Sequence, residues 1–234
     1  MFAATLSNYP IKVTKYYFPI PGETSFGMIE LVSAPSKINQ ERARTILVDS
    51  FIDGYAHLKP HEISEKLTSW RDGENSVQEY YETYFKEELS EFSAGKLHYW
   101  VEASVGGKLV GWATFQRESA DPKAVYMNLL VVDPAFQKKG IGTQLVNALI
   151  NLNEISNLNT IHLLLRKKNE GGRKFYTKLG FVSDPEYKRT DNFVDITLLE
   201  PFTWKKPALQ LKQEEKATST NDGFESGLSQ KNNF

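Results

Sequence analysis

The chain has no cysteine among its 234 residues. That absence excludes disulfides, thiolate metal sites and a cysteine nucleophile. Histidine is scarce as well. The four present, His57, His61, His98 and His162, show no HExxH or comparable ligand spacing, so no structural or catalytic metal is expected. No apolar run approaches the roughly 18 residues that a membrane-spanning helix requires. The opening stretch, MFAATLSNYPIKVTKYYFPIPGE, is broken by Pro10, Pro19 and Pro21 where a secretory signal carries a continuous apolar centre. Charge of one sign is missing too: the formal net charge of −1 gives no global pull toward nucleic acid or an anionic membrane. A cytosolic protein is expected, monomer or homodimer, without a nucleic-acid or membrane partner.

What remains is ample for one core, with 40% hydrophobic and 24% charged residues. The sequence shows no internal repeat. Residues 1–25 read as a proline-punctuated extension, residues 26–202 as one domain, and residues 203–234 as a polar tail expected to be disordered, because it cannot bury enough surface to offset its ordering entropy. Within the domain, Phe26–Ser33 is predicted as a strand closed by Pro35. A helix follows from Asn39, with Ala43, Ile46, Leu47, Phe51 and Tyr55 at helical spacing. Residues 57–96 are predicted to hold two short helices divided at Asp72-Gly73. LHYWVEAS and LVGWATFQ flank Gly106-Gly107, which supply the positive φ angles of a tight hairpin. A buried strand, Ala124–Val132, precedes a helix with Ile141, Leu145, Ala148, Leu149 and Leu152 on one face. Thr160–Arg166 is a strand, GGRKFYTKLGF a short helix ended by Gly180, and Phe193–Glu200 the last strand. Strand–helix–strand over 124–166 implies a right-handed parallel crossover.

The junction between the strand at 124–132 and its helix carries the strongest local chemistry. The first N–H groups of a helix have no intrahelical partner, and the dipole favours an anion beside them. Gly140 and Gly142 allow close backbone approach to phosphate oxygens, and Lys138 and Lys139 add positive charge. Two common phosphate motifs fail: no G-x-x-x-x-G-K-[ST] string exists, and the dinucleotide pattern G-x-G-x-x-G meets Leu145 at its third glycine. Residues 138–178 carry eight bases and two acids, a local +6 against −7 for the remainder. A polyanionic small ligand would require such a segment, although solvated faces produce the same count.

LVVDPAFQKKGIG resembles the acyl-CoA-binding motif of the GNAT superfamily of acyl-CoA-dependent N-acyltransferases, L-x-V-x-P-x-x-Q/R-x-x-G-x-G. Leu130, Val132, Pro134, Gln137, Gly140 and Gly142 meet its named positions. NEGGRKFYTKLGF, from Asn169 to Phe181, is similar to a second motif of that family at the expected distance. The resemblance spans about residues 26–200. It implies an α/β (α+β) fold with a mixed, mostly antiparallel sheet, a splayed pair of parallel strands, and helices on both faces. It implies acetyl-CoA as cofactor, with the main chain of Lys138, Lys139, Gly140, Ile141, Gly142 and Thr143 on the pyrophosphate. The strand edge at Leu130, Val131 and Val132 would take the pantetheine. Gln137, Asn169 and Arg173 would complete the cofactor contacts.

By the same resemblance Tyr176 is the general acid that protonates the leaving thiolate, and the N–H of Val132 stabilises the developing oxyanion. The sequence departs from the family at the general base. Many members carry Glu two residues before the motif leucine, and here that position is Asn128, whose amide can orient a water but not take a proton. Strict alternation puts Tyr126, Asn128, Leu130 and Val132 on one face. A water beside Asn128, or a remote Glu102, is the expected proton acceptor, although Glu102 also reads as a solvated strand residue. The acceptor amine, small molecule or protein, would meet residues 57–96. These carry nine acids and five bases with Trp70, Tyr80, Tyr81, Tyr84 and Phe85. EYYETYFKEEL also reads simply as an amphipathic helix with its rings in the core. A non-catalytic acyl-CoA-binding module or regulator is the alternative, since binding needs only the loop whereas turnover needs a proton route.

Overall fold

A strand covered on both faces must be apolar at successive positions, and the centre of this sheet is built that way. The computed structural model describes residues 15–32, 35–55, 77–151, 158–189 and 199–207. Two strands, β1 (Lys15–Pro19) and β2 (Phe26–Val32), precede helices α1 (Lys37–Tyr55) and α2 (Val77–Ser93). The hairpin β3 (Tyr99–Val105) and β4 (Lys108–Arg117) turns through Gly106 and Gly107, at φ 57° and 77°. Then come β5 (Ala124–Val132), a 3₁₀ turn at Pro134–Phe136, α3 (Ile141–Asn151), β6 (Thr160–Arg166), α4 (Glu170–Lys178), β7 (Val182–Ser183) and β8 (Leu199–Lys205).

The eight strands form one sheet in the order β1-β2-β3-β4-β5-β6-β8-β7. Every pairing is antiparallel except β5 with β6. This is the mixed, mostly antiparallel sheet expected from sequence, with helices on both faces. On one face α3 and α4 bury Ile141, Leu145 and Leu149 with Val101, Ala113, Phe115 and Phe181. On the other, α1 and α2 bury Ala43, Ile46, Leu47, Tyr81 and Phe85 with Trp100 and Trp112, whose rings stack at 4.5 Å. Tyr81 and Phe85 are therefore core residues, as the amphipathic reading of α2 requires. Among the described residues no helix is long and apolar enough to cross a membrane.

Three sequence expectations change. The sheet begins ahead of the boundary drawn at residue 26: Lys15–Pro19 pairs along β2 as an edge strand that Pro19 closes. Leu199 and Glu200, the described end of the expected strand Phe193–Glu200, are strand, and it runs on to Lys205 into the segment expected to be a tail; residues 190–198 lie outside the described ones. The Pro201 carbonyl accepts from the Asp184 N–H at 2.9 Å, and the strand continues to Thr203 and Trp204, both buried. The expected break at Asp72-Gly73 and the side chain of Leu152 lie outside the described residues.

The third change decides the site. Thr114 pairs with Leu129 and Phe115 with Met127, which leaves Asn128 as an extra residue in β5. Such a bulge turns the strand over. Val125 and Met127 face α3 before it; Leu130 and Val132 face α3 after it. Tyr126, across from Gln116, consequently lies on the α2 face, opposite Leu130 and Val132. The single-face reading of Tyr126, Asn128, Leu130 and Val132 fails because register with β4, not local alternation, sets the faces.

A testable consequence sits at Gly111. A β-carbon there would stand 2.9 Å from the Val131 carbonyl oxygen on the neighbouring strand. Gly111→Ala is expected to destabilise the fold by about 1–3 kcal/mol through overpacking, read as a lower urea midpoint.

Candidate active site

Two parallel strands normally pair along their length; here β5 and β6 pair only from Ala124–Tyr126 with Thr160–His162. Beyond Tyr126 the bulge carries β5 away, while β6 remains paired with β8 to Arg166. The Asp133 N–H reaches Val110 on β4 at 2.8 Å, and the Val131 carbonyl also points to β4. By alternation the main-chain groups of Leu130 and Val132 face the gap. The Val132 carbonyl is held by Ser50 at 3.0 Å and by the Gln137 side chain at 3.2 Å. Gln137 thus fastens the loop to the strand end.

The loop after β5 is strained in a useful direction. Lys138 sits at φ 61° and Gly140 at φ 82°, two left-handed residues flanking Lys139. That alternation turns successive N–H groups into one concavity. A β-carbon at Gly140 would meet nothing within 4 Å, so the glycine serves conformation, whereas one at Gly142 would press on Phe175 at 3.2 Å. The first intrahelical bond of α3 runs from Gln144 N–H to Gly140 O at 3.1 Å. The N–H groups of Ile141, Gly142 and Thr143 are the unmatched donors of the first turn.

Neighbours hold this loop from several sides. Asp133 caps the 3₁₀ turn by accepting from Ala135 N–H at 2.9 Å and forms an ion pair with Arg42 of α1. Tyr16 of β1 donates to the Gln144 carbonyl at 2.7 Å, and Lys139 meets Glu23 at 2.5 Å. Burial pushes the Tyr16 phenol up to about 12, so it donates throughout the neutral range.

At the far side of the gap, Asn169 caps α4 by accepting from Gly172 N–H at 2.8 Å. Arg173, expected at the cofactor, contacts Glu200 at 2.5 Å and the Lys167 carbonyl at 3.1 Å. Tyr176 packs edge-on between Phe175 and Phe181. Burial, aided by the Tyr126 phenol, drives its pKa well above the ordinary tyrosine value. It is a proton donor at neutral pH.

Of the expected proton acceptors, neither is ready-made. The Asn128 side-chain oxygen is buried without a hydrogen-bond partner. Glu102 is only 3% exposed, so it is no solvated strand residue, and it bonds to Asn39 of α1 at 2.6 Å. Burial raises its pKa, opposed by the Asn39 hydrogen bond. Its strand, β3, is separated from β5 by β4.

The α2 face of the gap holds a cluster the sequence reading missed. Tyr126 carries the Arg189 guanidinium over its ring at 3.9 Å. His162, its partner on β6, stacks on Tyr187 at 4.0 Å, and Tyr187 donates to Glu118 at 2.5 Å. Thr203 donates its proton to Asp184, so its oxygen accepts from Nδ1–H of His162, both at 2.8 Å. Burial lowers the His162 pKa, and the neutral ring keeps its lone pair on Nε2. From α2 comes Glu88, 4% exposed and hydrogen-bonded by Thr114. Burial raises it from 4.5 to about 7, against the pull of Thr114. One sequence signal could have found Glu88: it continues the apolar stripe of Tyr81, Tyr84 and Phe85 where a hydrophobic residue is expected.

Comparison with known proteins agrees with this geometry. The model of the acetyltransferase (GNAT) family matches residues 62–181. The N-alpha-acetyltransferase RimI of Mycobacterium tuberculosis is 32% identical over 85 residues, 36% of this chain, and the chain spans about half of that relative, 52%. Among solved structures, the PaiA N-acetyltransferase of Thermoplasma acidophilum in complex with coenzyme A is similar at TM-score 0.54 and 18% identity, over 76% of this chain and 99% of that one. An acetyltransferase of Streptococcus agalactiae is similar at TM-score 0.52 and 15% identity, over 76% and 98%. At such identities these two show the shared fold.

Glu88 has a consequence for stability that needs no ligand. Its proton is bound more tightly in the folded state, so stability falls as pH climbs from 4.5 to about 7 and stays reduced above. The loss is at most about 3 kcal/mol. Glu88→Gln keeps an acceptor for Thr114 and removes the titration. The variant is expected to melt above the wild type at pH 8 but not at pH 4 in thermal denaturation followed by circular dichroism.

Proposed function

Because the chain belongs to the acetyltransferase (GNAT) family, we propose that it moves the acetyl group of acetyl-CoA to a primary amine, on a small molecule or a protein, by direct attack with both substrates bound. The observation that carries this reading is the conjunction of the β5–β6 gap with the amide concavity at the start of α3. The residues fit the group. Main-chain donors from Lys139 to Thr143 match a pyrophosphate, and the open space at Gly140 leaves room for it. The main chain of Leu130 and Val132 offers a strand edge to the amide-bearing pantetheine arm. Asn169, which caps α4 after β6, and Lys138 in the loop before α3 are the side chains this reading assigns to the cofactor.

Acetyl-CoA supplies an acyl group activated by a thiolate leaving group. The chain supplies three further services. The Val132 N–H is placed to stabilise negative charge developing on the thioester oxygen. Tyr176, kept protonated by burial, delivers its proton to the departing sulfur. Tyr126, His162 and Tyr187 line the opposite face, where an amine enters. A tyrosine of normal acidity would donate as well at neutral pH; burial adds a dry environment in which each hydrogen bond is stronger.

The test is a titration of CoA and acetyl-CoA by calorimetry, followed by an amine panel monitored by thiol release. Gly142→Asp, which sets a carboxylate beside the pyrophosphate, is expected to abolish cofactor binding, whereas Gly142→Ala, which makes the same β-carbon contact with Phe175 without the charge, is expected to retain most of it. Tyr176→Phe is expected to lower kcat by about 100-fold or more with cofactor affinity unchanged. Binding of CoA without thiol release from any amine would instead mark the chain as a binding module.

A further inference from the structure

Among the described residues three buried side-chain atoms lack a hydrogen-bond partner: Trp100 Nε1, Glu102 Oε1 and Asn128 Oδ1. Buried polar atoms are almost always bonded, so each exception raises the question of what meets it. Trp100 and Glu102 belong to β3, which β4 separates from the gap. Asn128 stands on β5 itself, just beyond the last residues that pair with β6.

The bulge aims this side chain. Tyr126 faces α2, and the pleat returns Asn128 to that face two residues later. Leu129, the next residue, belongs to the apolar cluster beneath α1 and α2 on the same face. Two successive side chains therefore project to one side, as a bulge allows and a regular strand does not. Leu129 finds apolar neighbours there, whereas the Asn128 oxygen finds no partner. Nearby polar groups are already engaged: Glu88 with Thr114, Glu118 with Tyr187, and Nδ1 of His162 with Thr203.

Spacing connects Asn128 to the reacting carbonyl. Val132 lies further along β5 by about 13 Å at the usual rise per residue. A hydrogen bond from the Val132 N–H to the thioester oxygen, an attack distance of about 3 Å and a second hydrogen bond from the amine to Asn128 fill roughly that span.

We propose that Asn128 holds the acceptor: its side-chain oxygen accepts one N–H of a primary amine and turns the nitrogen lone pair toward the thioester carbonyl. The inference rests on the acetyltransferase reading and names the residue that selects the amine. An amide oxygen accepts a hydrogen bond but takes no proton, so the N–H it holds stays on nitrogen. A primary amine has two such hydrogens. One remains on Asn128 and becomes the N–H of the product amide; the other leaves to solvent water as the nitrogen–carbon bond forms. The carbon–sulfur bond breaks, and Tyr176 gives its proton to sulfur and regains one from water. A secondary amine has a single N–H, which it must lose, so it cannot keep the bond to Asn128 through the reaction. Asn128 thus discriminates by the number of hydrogens on nitrogen.

The experiment pairs a primary amine that the wild type accepts with its N-methyl derivative, and compares wild type with Asn128→Leu, which keeps the volume and removes the oxygen. The wild type is expected to favour the primary amine in kcat/KM by about 10-fold or more. Asn128→Leu is expected to lose about 10- to 100-fold on the primary amine and to stay within about threefold on the secondary one, so the preference disappears. Acetyl-CoA affinity, read by calorimetry, is unchanged. A merely structural role lowers both rates together. In the wild type loaded with CoA, the ¹⁵N resonance of the Asn128 side-chain amide is expected to shift when the primary amine is added. A wild type that acetylates both amines equally, an Asn128→Leu variant that keeps the preference or loses both rates alike, or an unmoved resonance overturns this proposal and leaves the acetyltransferase reading standing. A wild type that binds acetyl-CoA yet releases thiol with no amine overturns both.

Discussion

One extra residue in β5 cannot be matched by β4, and the strand answers by turning over at Asn128. Everything specific to this site follows from that mismatch. Upstream, β5 pairs with β6; downstream, it stays with β4 and abandons β6, opening a gap in the middle of a sheet. A strand edge left without a partner strand needs other partners for its N–H and C=O groups, and the Val132 carbonyl finds two in Ser50 and Gln137. On the function proposed above, the main chain of Leu130 and Val132 that faces the gap suits an extended ligand bearing amides.

The same geometry separates two chemistries. On the α3 face lie the amide concavity, the basic loop and Tyr176; on the α2 face lie Tyr126, His162, Tyr187 and Glu88. The sheet is the partition, and on the function proposed above the gap is the opening through which an acyl group on one side would meet an amine on the other. Positioning of this kind supplies much of a transfer enzyme's rate, because no covalent intermediate with the protein is needed once the reactants are aligned. The supports are distributed accordingly. Arg42 from α1, Tyr16 from β1 and Glu23 from the β1–β2 turn all converge on the loop between β5 and α3.

Much of this was legible in the sequence, and the parts that were not share a cause. The loop and α4 could be read because their requirements are local: Gly140 must adopt positive φ, Gly142 must admit Phe175, and Asn169 must cap a helix. The bulge could not. AVYMNLLVV is apolar at nearly every position and so carries no face pattern, and only its register against β4 reveals which residue is supernumerary. Glu88 was hidden for a related reason, since a charged residue in a helix reads as solvated until the sheet it packs on is known. β1 and β8 were obscured by their prolines, which break a pattern more readily than they break an edge or a short strand. Pairing between distant segments thus accounts for all four omissions.

The central claim is that the edge of β5 exposed by the bulge, together with the first amides of α3, receives the cofactor. Amide hydrogen exchange with and without CoA tests it residue by residue. Slowed exchange confined to Leu130, Val132 and residues 139–143 is the expected result. Slowed exchange elsewhere with these amides unchanged would contradict it.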